Sequence, residues 1–270
     1  MDYTSFSLSI ENHIAEVRFN RPDKANALHA EAWEEMRLLF RDLAGNSAVR
    51  VVILSGEGHH FCAGIDLTML MSINQDMQDS CEGRKRERLR RHILYLQDCI
   101  QAIEDCPVPV LAAIHGGCIG GGLDIISACD MRYAAEGAYF TVKEVDMGMV
   151  ADLGTLQRLP KLIPDGMARE MAYTGRKVAA QEAQACGLVN QVYPDQDALY
   201  AAVHALAVNI AAKSPLSIRG SKEMLVYARD HSVADGLNYI ATWNAAMILS
   251  EDLATAFQAS LTKKPPIFRD

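Results

Sequence analysis

At 270 residues, half of them hydrophobic and 22% charged, the chain has ordinary globular composition and room for one large domain, or one domain with a helical appendage. A formal charge of −8 argues against a nucleic-acid partner, and no run approaches the ~20 consecutive apolar residues of a membrane span. Seven cysteines, with no Cys-x-x-Cys pair, fit reduced thiols, and the eight histidines show no metal-ligand spacing, so no metal is expected. Met1-Asp-Tyr-Thr-Ser-Phe-Ser7 lacks a basic region followed by an apolar one, and Pro265-Pro-Ile-Phe-Arg-Asp270 is not a peroxisomal address. A cytoplasmic location is expected.

In chain order, Phe6-Ser-Leu-Ser-Ile-Glu11 and Ile14-Ala-Glu-Val-Arg-Phe19 alternate apolar and polar around Asn12-His13 and predict a hairpin. Asn20 to Leu28 reads as a loop, followed by a helix through about Leu43. Val49 to Gly56 and Pro109 to Gly116 are short apolar strands ended by glycine, and Met131-Arg-Tyr133 and Ala138-Tyr-Phe140 are further short strands. Between them, the basic run Arg84 to His92 reads as the solvated face of a helix or as an anion-facing patch for a phosphorylated substrate. From about Asp195 the texture changes: 197–213, 215–229 and 232–261 are Ala-rich, carry helical spacing and hold no strand candidate. The expected organisation is an α/β core over 1–195 and a helical region over 196–270.

The glycine-rich run His115-Gly-Gly-Cys-Ile-Gly-Gly-Gly-Leu-Asp-Ile125 follows a strand and opens a helix. It satisfies neither the Gly-x-Gly-x-x-Gly dinucleotide pattern nor a Walker A loop, and the chain holds no Gly-x-Ser-x-Gly elbow. What remains is a set of backbone N–H groups at a positive helix end, which glycine lets an oxygen approach closely. Phe61-Cys-Ala-Gly-Ile-Asp66 is a second such loop after a strand. Two donors from two loops suit a thioester carbonyl becoming an enolate, each worth roughly 3 to 4 kcal/mol.

These two loops, together with Asn20-Arg-Pro-Asp-Lys-Ala-Asn-Ala-Leu28 and Ala183-Gln-Ala-Cys-Gly-Leu-Val189, resemble the crotonase family, the enoyl-CoA hydratase/isomerase superfamily. The resemblance implies an α/β fold with a ββα spiral core and a C-terminal helical trimerisation region. It implies acyl-CoA substrates, no cofactor beyond the coenzyme A of the substrate, and assembly as a trimer or dimer of trimers. It assigns the oxyanion donors to the backbone of Ala63 and Gly121, and substrate binding to Cys62, Gly64, Ile65, Asp66 and Leu67. Arg21 and Lys24 become candidate phosphate contacts.

Asp124 stands in the apolar segment Leu123-Asp-Ile-Ile126, where an ionised group needs a partner or a reason to be protonated. In the hydratases of the family, facing glutamates occupy the positions of Asp124 and Glu144. Here the first acid is shortened and a further one, Asp152, is present. With Lys143-Glu-Val-Asp146, Gly154-Thr-Leu-Gln-Arg-Leu-Pro160, Asp230-His-Ser-Val233 and Ala241-Thr-Trp-Asn244, this set is similar to the Δ3,5-Δ2,4-dienoyl-CoA isomerases. Such chemistry takes a proton from carbon 2 and delivers one at carbon 6, and two acids at different depths suit it. Asp152 is expected to serve carbon 2 and Glu144 carbon 6, or the reverse, with Asp124 in support. The rival expectation is an enoyl-CoA hydratase using Asp124 and Glu144 to activate water.

Overall fold

The computed structural model describes residues 3–76 and 78–270. The expected hairpin forms from β1 (Phe6–Glu11) and β2 (Ile14–Phe19), which pair antiparallel with Phe6 opposite Phe19. The chain then crosses through α1 (Ala30–Ala44) into β3 (Val51–Gly56), which pairs parallel with β2. All six residues of β3 are buried, as a parallel strand covered on both faces requires. After α2 (Leu67–Asp76) and the long α3 (Glu82–Glu104) come β4 (Val110–Ile114), β5 (Gly117–Ile119) and α4 (Gly121–Ala128). Next are β6 (Met131–Ala135), β7 (Tyr139–Thr141), α5 (Thr155–Leu162), α6 (Asp165–Thr174), β8 (Val178–Ala179), α7 (Ala180–Ala185) and β9 (Gln191–Tyr193). The chain closes with α8 (Gln196–Ala211), α9 (Pro215–Ala228), α10 (Val233–Met247) and α11 (Glu251–Thr262).

Two sheets result, one in the order β1-β2-β3-β4-β6-β9 and one in the order β5-β7-β8. The larger core cluster joins Trp33, Met36 and Phe40 of α1 to Ile100 and Ile103 of α3, to Leu123 and Ile126 of α4, and to one sheet face. On the other face Ile14, Val51, Ile53 and Leu111 pack against Leu199, Val203, Ala207 and Ala211 of α8. Helix α8 therefore belongs to the core, although the change of texture at Asp195 groups it with the C-terminal helices. Leu199, Val203 and Ala207 recur every fourth residue and supply the apolar stripe that covers the sheet.

The segment 232–261, expected to be helical, forms two helices. Ser250 interrupts it by accepting the Leu253 N–H on its side-chain oxygen at 3.3 Å, capping α11. The basic run lies on α3, where Arg84 and Arg88 reach Asp79 and Arg91 reaches Glu87, so it is a solvated, ion-paired face. All seven cysteines are free thiols.

Candidate active site

The two glycine-containing loops lie side by side because Cys62 and Cys118 form a parallel bridge, with Cys62 N–H donating to Gly117 O and Ile119 N–H to Cys62 O. A second parallel bridge joins Leu28 to Ile65: Leu28 N–H donates to Gly64 O at 2.8 Å and Asp66 N–H to Leu28 O at 2.9 Å. In such a ladder the bonded partners are residues 64 and 66, so the N–H of Ile65 points away from Leu28. Neither it nor the Gly121 N–H donates to a protein acceptor among the described residues. The two are neighbours: a Cβ built on Gly121 would lie 3.6 Å from Ile65 N, and one on Gly64 would lie 3.0 Å from Gly121 N. Gly64 has φ +82°, so glycine is needed there for both conformation and space.

This corrects the assignment of Ala63. Its N–H donates to Ala25 O at 3.0 Å and is spent within the protein. Ile65, two residues on, carries the open N–H. Cys62 is fully buried, its sulfur placed between Asn26 O and the Gly64 N–H, so it shapes the loop from behind. Arg21 donates to Ala27 O at 2.5 Å and faces Asp66 at 3.4 Å, which makes it a brace between loops. Asp66 also accepts the Thr68 N–H and hydroxyl, and Thr68 and then Arg21 hold its carboxyl below the usual range. Sequence reasoning missed Asn26, which is buried and donates to Glu57 O and His60 O, fastening the Asn20 to Leu28 loop to the oxyanion loop.

Glu144 follows β7 and lies against Gly120, where an added Cβ would sit 3.1 Å from its Oε1. Its Oε2 is buried with no hydrogen-bond partner, and burial, followed by the charge of Asp152, raises its pKa. Asp152, exposed on one side, is raised by the burial of the other, and Gln97 donates to its main-chain oxygen at 2.6 Å. Asp124 is 1% exposed and accepts the Thr155 N–H at 2.7 Å, which caps α5 and anchors the turn carrying Asp152. Burial, then the Glu144 charge, pushes its pKa up to about 7 against the pull of Thr155.

Two cavities meet at this centre. One, of about 430 Å³, is lined by Lys24, Ala63, Gly64, Asp66 and Leu67. The other, of about 610 Å³, runs between Leu89, Ile93, Val150 and Leu153 and contains Asp152. Ile65, Gly121 and Glu144 line both. A ligand spanning them would place one atom between two open N–H groups, one acid beside that atom and a second acid further along an apolar channel.

An enoyl-CoA hydratase/isomerase family profile matches residues 9–270. The chain is 46% identical to the mitochondrial Δ3,5-Δ2,4-dienoyl-CoA isomerase of Rattus norvegicus, over 95% of this chain and 79% of the rat protein. It is 46% identical to the peroxisomal Δ3,5-Δ2,4-dienoyl-CoA isomerase of Arabidopsis thaliana, over 96% of this chain and 93% of that one. Among solved structures, an enoyl-CoA hydratase from Bacillus anthracis superposes with a TM-score of 0.89 at 31% identity, covering 98% of this chain and 99% of its own. The chain belongs to the enoyl-CoA hydratase/isomerase family, and its architecture is the crotonase fold.

Proposed function

We propose that the protein converts 3,5-dienoyl-CoA to 2,4-dienoyl-CoA. The observation that carries this reading is the pair Glu144 and Asp152 along one apolar channel that begins at the Ile65 and Gly121 N–H groups. Similarity to two proteins named as dienoyl-CoA isomerases supports it. The thioester oxygen accepts from Ile65 and Gly121, so charge developing on it meets donors already in place. The pantetheine arm lies in the cavity of Gly64, Asp66 and Leu67, with Lys24 facing the coenzyme phosphates. The acyl chain enters the cavity of Leu89, Ile93 and Leu153.

Carbon 2 is one bond from the thioester carbon, and Glu144 is the acid beside the donors; of the two cavities that meet there, Asp152 lines only the acyl one. Glu144 accordingly removes the carbon 2 proton and Asp152 protonates carbon 6, the reverse of the order first expected from sequence. Burial raises both carboxyls and so favours holding one proton between them; the positive N-terminal end of α4 beside Glu144 favours placing the anion there. Asp124 is a positioning group, holding the Asp152 turn through Thr155.

Hydration of a 2-enoyl-CoA would need Asp124 to face a water opposite Glu144, whereas its Oδ1 is committed to Thr155 N–H. The reading includes a homotrimer or dimer of trimers, built on the apolar side chains that α10 and α11 leave exposed, Leu237 at 64% and Phe257 at 65% among them. It needs no cofactor beyond the substrate's coenzyme A, and seven free thiols suit a reducing cytoplasm. A spectrophotometric assay with a 3,5-dienoyl-CoA, run beside hydration of a 2-enoyl-CoA, tests it. Growth of the conjugated 2,4-dienoyl thioester with little hydration supports the proposal, and the opposite pattern overturns it.

A further inference from the structure

Asp152 and Leu153 also line a third cavity, of about 640 Å³, to whose wall Glu144 does not contribute. Its chemistry differs from that of the acyl channel. Gln97, Asp98, Gln101 and Gln157 supply polar walls, and Gln157, Lys161 and Asp230 at its rim are exposed. Its polar side chains are fixed by contacts that leave Asp152 alone. Arg158 is bound to Glu104 and Gln101, Arg229 to Glu104 and Asp230, and Lys161 to Asp230. No side chain pairs with the Asp152 carboxylate among the described residues, and Gln97 grips only its main-chain oxygen. Asp152 thus stands between an apolar channel and a polar one, whereas the Glu144 Oε2 is buried without a partner.

The proton balance of the isomerase reading, on which this inference rests, gives the second cavity a task. In one turnover the carbon 2–hydrogen bond breaks and its proton goes to the Glu144 carboxylate. The electron pair shifts along the diene, and the carbon 6–hydrogen bond forms with the proton of the Asp152 carboxyl. The enzyme is left with Glu144 protonated and Asp152 ionised, the opposite of its starting state. We propose that water in the polar cavity lined by Gln97, Gln101 and Gln157 gives Asp152 its proton, while the proton held by Glu144 leaves to solvent through the coenzyme-side cavity that Glu144 also lines once product has gone, so that the hydrogen arriving at carbon 6 comes from water and not from carbon 2. Water bridging such a wall exchanges protons with bulk far faster than a carbon–hydrogen bond does.

The test uses the intact protein and 3,5-dienoyl-CoA deuterated at both carbon 2 positions, in ordinary water, with product analysed by mass spectrometry and proton NMR. The expected result is 2,4-dienoyl-CoA with no deuterium at carbon 6. The complementary run, unlabelled substrate in deuterium oxide, places one deuterium there. Product carrying the carbon 2 deuterium at carbon 6 means direct return between the two acids and overturns the inference while leaving the isomerase reading intact. Absence of any 2,4-dienoyl product overturns both. Gln157→Phe, which narrows the cavity without touching the acyl channel, is expected to lower turnover and enlarge the solvent isotope effect. Unchanged values would count against the route.

Discussion

Asp124 Oδ1 accepts the Thr155 N–H at 2.7 Å, joining the first turn of α4 to the first turn of α5 across 31 residues. This bond explains a carboxylate inside an apolar helix: it caps α5 and fixes the turn that presents Asp152. The cap is retained at a cost, because burial and Glu144 push the Asp124 pKa from 3.8 up to about 7. The folded state therefore binds the proton more tightly than the unfolded chain does. The penalty for ionising Asp124 is absent below about pH 4, grows as pH rises and levels off above about pH 7, reaching ~4 kcal/mol.

Asp124→Asn keeps an oxygen acceptor for Thr155 N–H and removes the charge. The variant is expected to gain stability relative to the parent as pH rises from 5 to 8, by a few kcal/mol on the scale of ~1.4 kcal/mol per pKa unit. Urea denaturation at the two pH values measures the difference. Parallel pH dependences would show that Asp124 is not the titrating group.

Gly64 and Gly121 set the two donors against one another. Gly64→Ala would place its Cβ 2.7 Å from Ile119 O with φ at +82°, so one loop must move. The expected outcome is a roughly 100-fold or larger fall in kcat with a smaller change in KM, as for loss of an oxyanion donor. A change confined to KM would remove the enolate role of this pair.

The brace at Arg21 predicts a different pattern. Arg21→Ala frees Asp66 and Ala27 O and loosens the donor loop, so kcat falls without the salt dependence of a lost phosphate contact. Steady-state kinetics at low and high ionic strength separate the two. A KM rise that salt abolishes would return Arg21 to the coenzyme.

The C-terminal helices carry the assembly prediction. Leu237→Glu combined with Phe257→Glu puts charge on the exposed apolar faces of α10 and α11. Sedimentation velocity is expected to show a trimer or hexamer for the parent and smaller species for the variant. A monomeric parent would contradict that part of the account.

Much of this site is written locally. The loops at Phe61 to Asp66 and His115 to Ile125 are legible because glycine after a strand has few other uses, and the three acids stand out in apolar or glycine-flanked surroundings. Which N–H of the first loop is open is not local. It depends on the Leu28 and Ile65 bridge, a pairing of residues far apart in sequence, and that is why Ala63 was the wrong choice. The same holds for Arg21, whose partner Asp66 lies 45 positions away, and for the order of Glu144 and Asp152 along the channel. The break at Ser250 was within reach: Ser followed by Glu251-Asp252 is a helix-start signal inside a run that otherwise reads as continuous helix.

In the proposed reaction two acids, Glu144 and Asp152, divide one double-bond shift between carbon 2 and carbon 6. The most direct measurement is the rate of 2,4-dienoyl thioester formation from 3,5-dienoyl-CoA by the parent, by Glu144→Gln and by Asp152→Asn. Each variant is expected to bind acyl-CoA and to lose about 100- to 10,000-fold in kcat, the usual worth of a general acid or base. Near-parental isomerisation by either variant would contradict the account.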